Sequence, residues 1–565
     1  MSLPRLARSR SALLAVLVVV VAACSGATSP TPAASGPAPS AAQSTVPSTA
    51  PSDQGGKLSV GLSSDVFTLD PAIGYDVYSW PAERLLYDTL VTYDGGTTIV
   101  PSLAAEMPTI SADGLTYTFK LRPGVKFVGK GGEPIRDLTA DDVAWSLSRL
   151  MRPDLTPTVS PVGTGFFTVI KGADEVNAGT AELASGIKAI DPLTVEITLN
   201  QPDRTFLNIL AMPFGSIVPK ESAGTDTAAF AAAPVGTGPY WLESFTQDQV
   251  AVFQRNPQYW REGLPKADTI EFRFSQTAEN QASLIKANEL DITLDLLSQG
   301  DWAALSNDPQ YKDRIALGDM VAFYYLMMDM LTDGNPFQDQ KVRQAVNTAI
   351  DKDNIIRVVS GRGTIADCIF PPLLPGHDPS CKPYAFDVEQ GKKLMAESPY
   401  PNGFSTKLYT DDVTTDGAVA EAIKADLAKI GIEVEVVQQP FDTLLGTMTT
   451  PGAAPLVYLG WFQDFPDPSD FIDPILSCAT VIPNGFNVTG YCNEQLDKDG
   501  VTAKANPDLN AVLPDYQDFQ KRIMTDAPIA PILVPKLDVF HSERTPDFTI
   551  HPVWAFDLQS IAVKE

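Results

Sequence analysis

Five cysteines and three histidines are the side chains best suited to nucleophilic or metal chemistry in this 565-residue chain. His377, His541 and His551 are too scattered to build a histidine-rich metal site. Cys368, Cys381, Cys478 and Cys492 form two local pairs, with 12 and 13 residues between partners and none of the close CxxC knuckles of zinc sites. In an exported chain such an even set points to disulfides Cys368–Cys381 and Cys478–Cys492 by proximity, each stabilising by about 3 kcal/mol through loop closure. Buried free thiols are the alternative. No phosphate-binding P-loop, GxSxG elbow or HExxH helix occurs. Ser185–Lys188 and Ser283–Lys286 match SxxK, but no SDN or KTG accompanies them. Gly361-Arg362-Gly363-Thr364-Ile365-Ala366 matches GxGxxA formally, yet it follows a helical stretch and leads into Pro371-Pro372, as a glycine-rich helix exit would. No nucleophile stands beside a base. The expectation is a protein without catalytic residues, metal or cofactor.

The elements that must position any site alternate between strand and helix. Thr116 to Arg122 alternates apolar and polar residues before Pro123-Gly124, and Leu193, Val195, Ile197 and Leu199 do the same. Thr139-Ala140-Asp141-Asp142 is a capping-box-like helix start, followed by Val143, Leu147 and Leu150 at helical spacing. Val419, Ile423, Leu427 and Ile430 line one face of a helix that Gly431 ends, and Ile432, Val434 and Val436 then alternate as a strand. A further helix follows Asp339, with Val342, Val346 and Ile350 on one stripe. The fold class is α/β. Hydrophobic residues at 44% and charged residues at 19% suffice for a large core. Acids outnumber bases 69 to 41, for a net charge of −28, and that field repels phosphate backbones, so nucleic acid is excluded as a partner.

Arg5, Arg8 and Arg10 precede an unbroken apolar run from Ala12 to Ala23. A membrane-spanning helix needs roughly 20 such residues, so the segment reads as a secretory signal over 1–23. It ends Val21-Ala22-Ala23-Cys24, which resembles the lipobox of bacterial lipoproteins. The resemblance implies that Cys24 becomes the first mature residue and carries a lipid; simple cleavage beside an incidental cysteine is the alternative. From 24 to 56 the chain is nearly all Ser, Thr, Pro, Ala, Gly and Gln, a solvated tether that buries nothing. An extracytoplasmic body, lipid-anchored to the cell membrane on its periplasmic or outer face, is expected.

Five segments in order extend over the body. They are Thr68-Leu69-Asp70-Pro71 with Glu83 to Leu90; Pro101 to Phe127 with 138–150; VGTGPYWLESF from Val235 with RNPQYW from Arg255; Phe337 to Ile356; and GWFQDFPDP from Gly460 to Pro468. Together they resemble the solute-binding proteins of oligopeptide and dipeptide ABC transporters, the family 5 class. The resemblance implies a periplasmic-binding-protein-like type II clamp, with an extra domain inserted in the first of two lobes. Carried over by segment, lobe I comprises 57–97, 233–318 and 536–565, the accessory domain 98–232, and lobe II 319–535. The partners implied are a peptide ligand enclosed by hinge closure and the permease subunits of an ABC importer, with the protein itself a monomer.

In peptide-binding members of that family an aspartate matching Asp464 pairs with the ligand ammonium, and a tryptophan matching Trp461 packs nearby. An ammonium leaving water must regain a charge partner, which one carboxylate in a closed cleft supplies. Phe462 and Phe465 would add apolar surface, and the backbone of Gly460 would pair with an extended peptide. Tyr75, Asp76, Val77 and Tyr78 match another ligand-touching stretch, and so does Tyr324, which alternates with Tyr325 on a strand so that one of the two faces the cleft. By residue type alone, an aspartate before Phe465-Pro466 serves a turn or a cap, and Trp461 belongs to a core. No basic residue for a peptide carboxylate is identifiable. Relatives that bind nickel chelates, haem, glutathione or oligosaccharides keep non-peptide solutes open, amino-sugars and opine-like compounds among them. A sensory receptor is a further alternative, and an extracellular hydrolase lacks its nucleophile.

Overall fold

Apolar alternation builds three sheets of four or more strands, beside two two-stranded ones, in the computed structural model, which describes residues 55–482 and 485–564. The signal segment 1–23, Cys24 and the tether as far as residue 54 lie outside the described residues. Gly55 and Gly56, placed in the tether by composition, are instead docked. The Gly55 N–H donates to the Lys266 carbonyl at 2.8 Å, and the Gly56 carbonyl accepts from Asp268 N–H at 2.8 Å.

The first sheet runs in the order Tyr240–Thr246, Val250–Arg255, Thr269–Arg273, Lys57–Gly61 and Ile292–Thr293. Lys57–Gly61 is parallel to both of its neighbours, and its Leu58 and Val60 are fully buried. The second sheet runs Ile315–Asp319, Ile529–Phe540, Ala322–Met328, Leu456–Phe462, Phe404–Asp411 and Ile432–Gln439, with Gly363–Ile365 also paired to Ile529–Phe540. A third, four-stranded sheet joins Thr109–Ile110, Thr116–Lys120, Thr194–Thr198 and Ile187–Asp191. Ile315–Asp319 pairs antiparallel with Ile529–Phe540 from Ile315↔Phe540 to Asp319↔Lys536. These two strands therefore straddle the lobe limits expected at 318 and 536, because register in one ladder ties both into the second sheet.

Helix starts follow from their caps. Thr139 and Asp142 close a capping box on the helix Ala140–Arg149, and Asp339 accepts from Lys341 and Val342 N–H at the start of Gln340–Ala349. Thr414–Ala428 lays Val419, Ile423 and Leu427 against the second sheet, and Gly431, at φ +89°, turns the chain into Ile432–Gln439. The GxGxxA segment is a helix exit: Lys352–Val358 ends, Ser360 and Gly361 take positive φ, and Gly363–Ile365 forms a strand. Met327 and Met328 are core. The structure pairs Cys368 with Cys381 and Cys478 with Cys492, at Cα separations of 5.8 and 4.4 Å.

Several shared segments hold the frame together. Asp70 receives a buried two-pronged ion pair from Arg149. Asp88 accepts from Thr237, Tyr259 and Trp260, so it joins the first of the segments to both parts of the third. A Cβ on Gly236 or Gly238 would lie 2.0 or 2.6 Å from the Leu86 carbonyl oxygen, which is why both positions must be glycine. No helix among the described residues is long and apolar enough to cross a membrane.

Candidate functional site

Leu456–Phe462 is an inner strand whose two edges differ. On one edge it pairs with Ala322–Met328 along its whole length, from Met328↔Leu456 to Ala322↔Phe462. On the other, pairing with Phe404–Asp411 covers only Leu408↔Leu456 and Tyr409↔Val457. Residues 458–462 therefore keep one backbone edge free of strand partners among the described residues, and an unpaired edge is a template for an added strand.

Alternation sorts the side chains of this strand. Tyr458, Gly460 and Phe462 share a face with Tyr324, whose ring lies 5.5 Å from Tyr458 and 5.8 Å edge-on from Phe462. A Cβ on Gly460 would come within 2.9 Å of the Phe462 ring and 3.1 Å of the Tyr324 ring, so a side chain there would displace the aromatic lining. Trp461 points to the opposite face, half-buried against the core that contains Phe323, Tyr325 and Phe471. Tyr325 is buried there, stacked on Phe323 at 4.5 Å. Trp461 and Phe462, consecutive on the strand, therefore face apart. The apolar surface expected of Phe465 is absent: it is 5% exposed and packed in the core shared with Leu62 and Phe214.

Asp464 follows the strand and is buried. Its Oδ1 accepts from the Tyr75 hydroxyl at 2.7 Å, and its N–H donates to Asp470 Oδ2 at 2.9 Å. Burial pushes the Asp464 carboxyl up to about 6, opposed by the bonds from Tyr75 and Asp470. Asp470 is raised well above the carboxylate range, by burial and by the neighbouring Asp464 charge, while the bond from the Asp464 N–H partly offsets the rise. No lysine, arginine or histidine pairs with Asp464 among the described residues. It is a half-satisfied carboxylate with spare acceptor capacity beside an unpaired backbone edge.

Tyr75 is held for this contact by ring packing on Trp80, Phe166 and Phe214. Its neighbours play other parts. Asp76 Oδ1 accepts from Tyr78 and Ser79 N–H and so starts the helix Ser79–Leu86. Tyr78 donates to Asp295 at 2.7 Å, within a network that includes Ser63 and Gln281. Val77 is 67% exposed. Asp470 and Tyr458 escaped the sequence reading; Tyr458 was within reach, two residues before Gly460 on the same alternating face, whereas Asp470 carries no local signal.

The sequence profile of the bacterial extracellular solute-binding proteins, family 5 (middle segment), matches residues 98–482. The dipeptide-binding protein of Escherichia coli is 30% identical over 519 residues, covering 89% of this chain and 92% of that protein. Di/tripeptide-binding protein 2 of Pseudomonas aeruginosa is 29% identical over 510 residues, covering 87% and 92%. The periplasmic binding protein DppA of Helicobacter pylori, solved in complex with the peptide STSA, superimposes with a TM-score of 0.78 at 28% identity, covering 91% of this chain and 99% of that one. The fold is thus the α/β two-lobed clamp of the type II periplasmic binding proteins. The chain belongs to the bacterial extracellular solute-binding proteins, family 5.

Proposed function

We propose that this protein is the peptide-capturing receptor of an ABC importer, anchored through a lipid on Cys24 and presenting its ligand to the membrane permease. The observation that carries the reading is Asp464. It is a buried carboxylate with a tyrosine but no cation for a partner, at the end of a strand whose 458–462 edge is open. A peptide laid along that edge satisfies its backbone by strand addition and places its terminal ammonium on Asp464, where it restores the missing charge. Both features are common to all peptides. The peptide-binding relatives named above support the same ligand class. In this reading lobe I, the accessory domain and lobe II follow the limits 57–97 with 233–318 and 536–565, 98–232, and 319–535, with the two crossing strands as the passage between lobes.

Calorimetry with Ala-Ala-Ala and with its N-acetylated form tests the assignment. The free peptide binds and the acetylated one loses most of its affinity. Asp464→Asn weakens the free peptide by about 2–5 kcal/mol, as the loss of one partner of a buried pair does. Equal affinity for both peptides would remove Asp464 from the site. Lipidation is tested separately by mass analysis of the membrane fraction, where Cys24→Ala should release the protein.

A further inference from the structure

A second pair of acids stands beside the face that carries Tyr324, Tyr458 and Gly460, where a neighbouring strand gives way to a helix. Asp411 ends the strand Phe404–Asp411, and Asp416 lies in the first turn of Thr414–Ala428. Asp416 precedes Val419, Ala420 and Ile423 on the stripe packed against the sheet, so its carboxyl points inward, and it is 6% exposed. The two carboxyls lie within hydrogen-bonding reach of each other. Their charge is also felt by the Tyr324 and Tyr458 hydroxyls, both raised well above their ordinary value by burial first and by these acids second. No basic side chain pairs with either acid among the described residues.

Independent of the acids, Thr410 is fully buried and its Oγ1 has no hydrogen-bond partner. Register fixes its direction. Leu408↔Leu456 places residue 410 on the face of Tyr458, the face that Thr414–Ala428 covers. Gly417 matches the same crowding, since a Cβ there would meet the Gln438 side chain at 2.4 Å. An orphaned hydroxyl, two adjoining carboxyls without a cation and two aromatic rings are a full set of partners for one buried organic cation.

We infer that Asp411 and Asp416, with Thr410, Tyr324 and Tyr458, form a subsite for a cationic side chain of the bound peptide, a guanidinium or an ammonium, and so select arginine- and lysine-containing peptides. This rests on the reading that a peptide pairs with the 458–462 edge, from which alternate side chains project toward this face. The chain's net charge of −28 acts in the same direction by drawing cationic ligands in.

The test is calorimetry of the wild type, Asp416→Asn and the double variant Asp411→Asn/Asp416→Asn with Ala-Arg-Ala, Ala-Ala-Ala, Ala-Glu-Ala and free agmatine, with thermal unfolding to confirm folded protein. The wild type binds Ala-Arg-Ala at least tenfold tighter than Ala-Ala-Ala and Ala-Glu-Ala weakest. The variants bring Ala-Arg-Ala to the level of Ala-Ala-Ala while leaving Ala-Ala-Ala within twofold. Equal wild-type affinity for all three peptides, or a preference that survives in the double variant, overturns the subsite and leaves peptide capture standing. If no peptide binds, peptide capture falls, and agmatine decides the subsite alone: binding that the double variant abolishes upholds it, and no binding overturns it.

Discussion

The Tyr75 hydroxyl and the Asp464 carboxylate, 389 residues apart in the chain, meet at 2.7 Å. Each is held by its own surroundings, Tyr75 by three aromatic rings and Asp464 through its N–H to Asp470. The bond therefore joins two preset groups, and it is the main force keeping a buried Asp464 ionised in the absence of ligand.

Removing the hydroxyl separates that effect from packing. Tyr75→Phe keeps the ring and deletes one hydrogen bond to a charged acceptor, a loss of about 1.5–3 kcal/mol. The Asp464 carboxyl then titrates above its present value of about 6. Peptide affinity at pH 7 falls by roughly 1 kcal/mol, since part of the population must first give up a proton. Calorimetry at pH 6, 7 and 8 should show a loss that shrinks toward pH 8; a loss independent of pH would mean that the ring alone matters.

The wild-type pH profile has a sign set by the same group. An ammonium ligand requires the ionised carboxylate, so binding lowers the Asp464 pKa below its free value of about 6. As pH falls below about 6, the free protein is increasingly protonated and the dissociation constant rises by up to about tenfold per pH unit. On the alkaline side the peptide's own amine is lost above about pH 8. The expected profile is a bell between those limits. Asp464→Asn, which cannot titrate, should be flat on the acid side; a matching acid limb in that variant would assign the proton elsewhere.

How much of this was legible depends on the range over which each interaction acts. Helices 140–149 and 340–349 were readable because their caps and stripes are local, as was the turn at Gly431. The opposite orientation of Trp461 and Phe462 was readable too, by the alternation that separates Tyr324 from Tyr325. Asp411 and Asp416 were not, because in a chain with 69 acids two more carry no signal until a strand end and a helix start are brought together. Tyr75 and Asp464 became a pair only through the fold. Asp70 and Asp88 belong to segments that carry the family resemblance, and their partners show that those segments serve packing.

Gly236 tests that packing role. Alanine there would put its Cβ 2.0 Å from the Leu86 carbonyl oxygen, a backbone atom at the end of the helix Ser79–Leu86 that cannot yield without moving the chain. Gly236→Ala should lose at least 2 kcal/mol, the range of overpacking in a dense interior. Gly446→Ala meets nothing within 4 Å and lies inside the helix Phe441–Met448, so it should be neutral or stabilising by up to about 1 kcal/mol. Urea unfolding of the two variants in parallel checks the contrast.

Arg204 and Asp467 offer the sharpest test of a long-range contact. Their side chains are 5% and 2% exposed, and the guanidinium reaches the carboxylate with two bonds of 3.1 and 2.8 Å. Arg204 also donates to the Ala503 carbonyl at 2.6 Å and to the Tyr516 hydroxyl at 3.0 Å, so it clamps the loop after Thr194–Thr198 onto residues of the second sheet's helical cover. Arg204→Met leaves the Asp467 charge buried without its cation and should cost about 3–5 kcal/mol in urea unfolding. Asp467→Asn removes the charge but keeps an acceptor for the Ser469 N–H and hydroxyl that Asp467 now serves. Adding it to Arg204→Met should recover part of the loss, because an amide without a cation costs less than a carboxylate without one. If the double variant is instead less stable than Arg204→Met by the full cost of Asp467→Asn alone, the two residues are not coupled, and the clamp is held by the Ala503 and Tyr516 bonds.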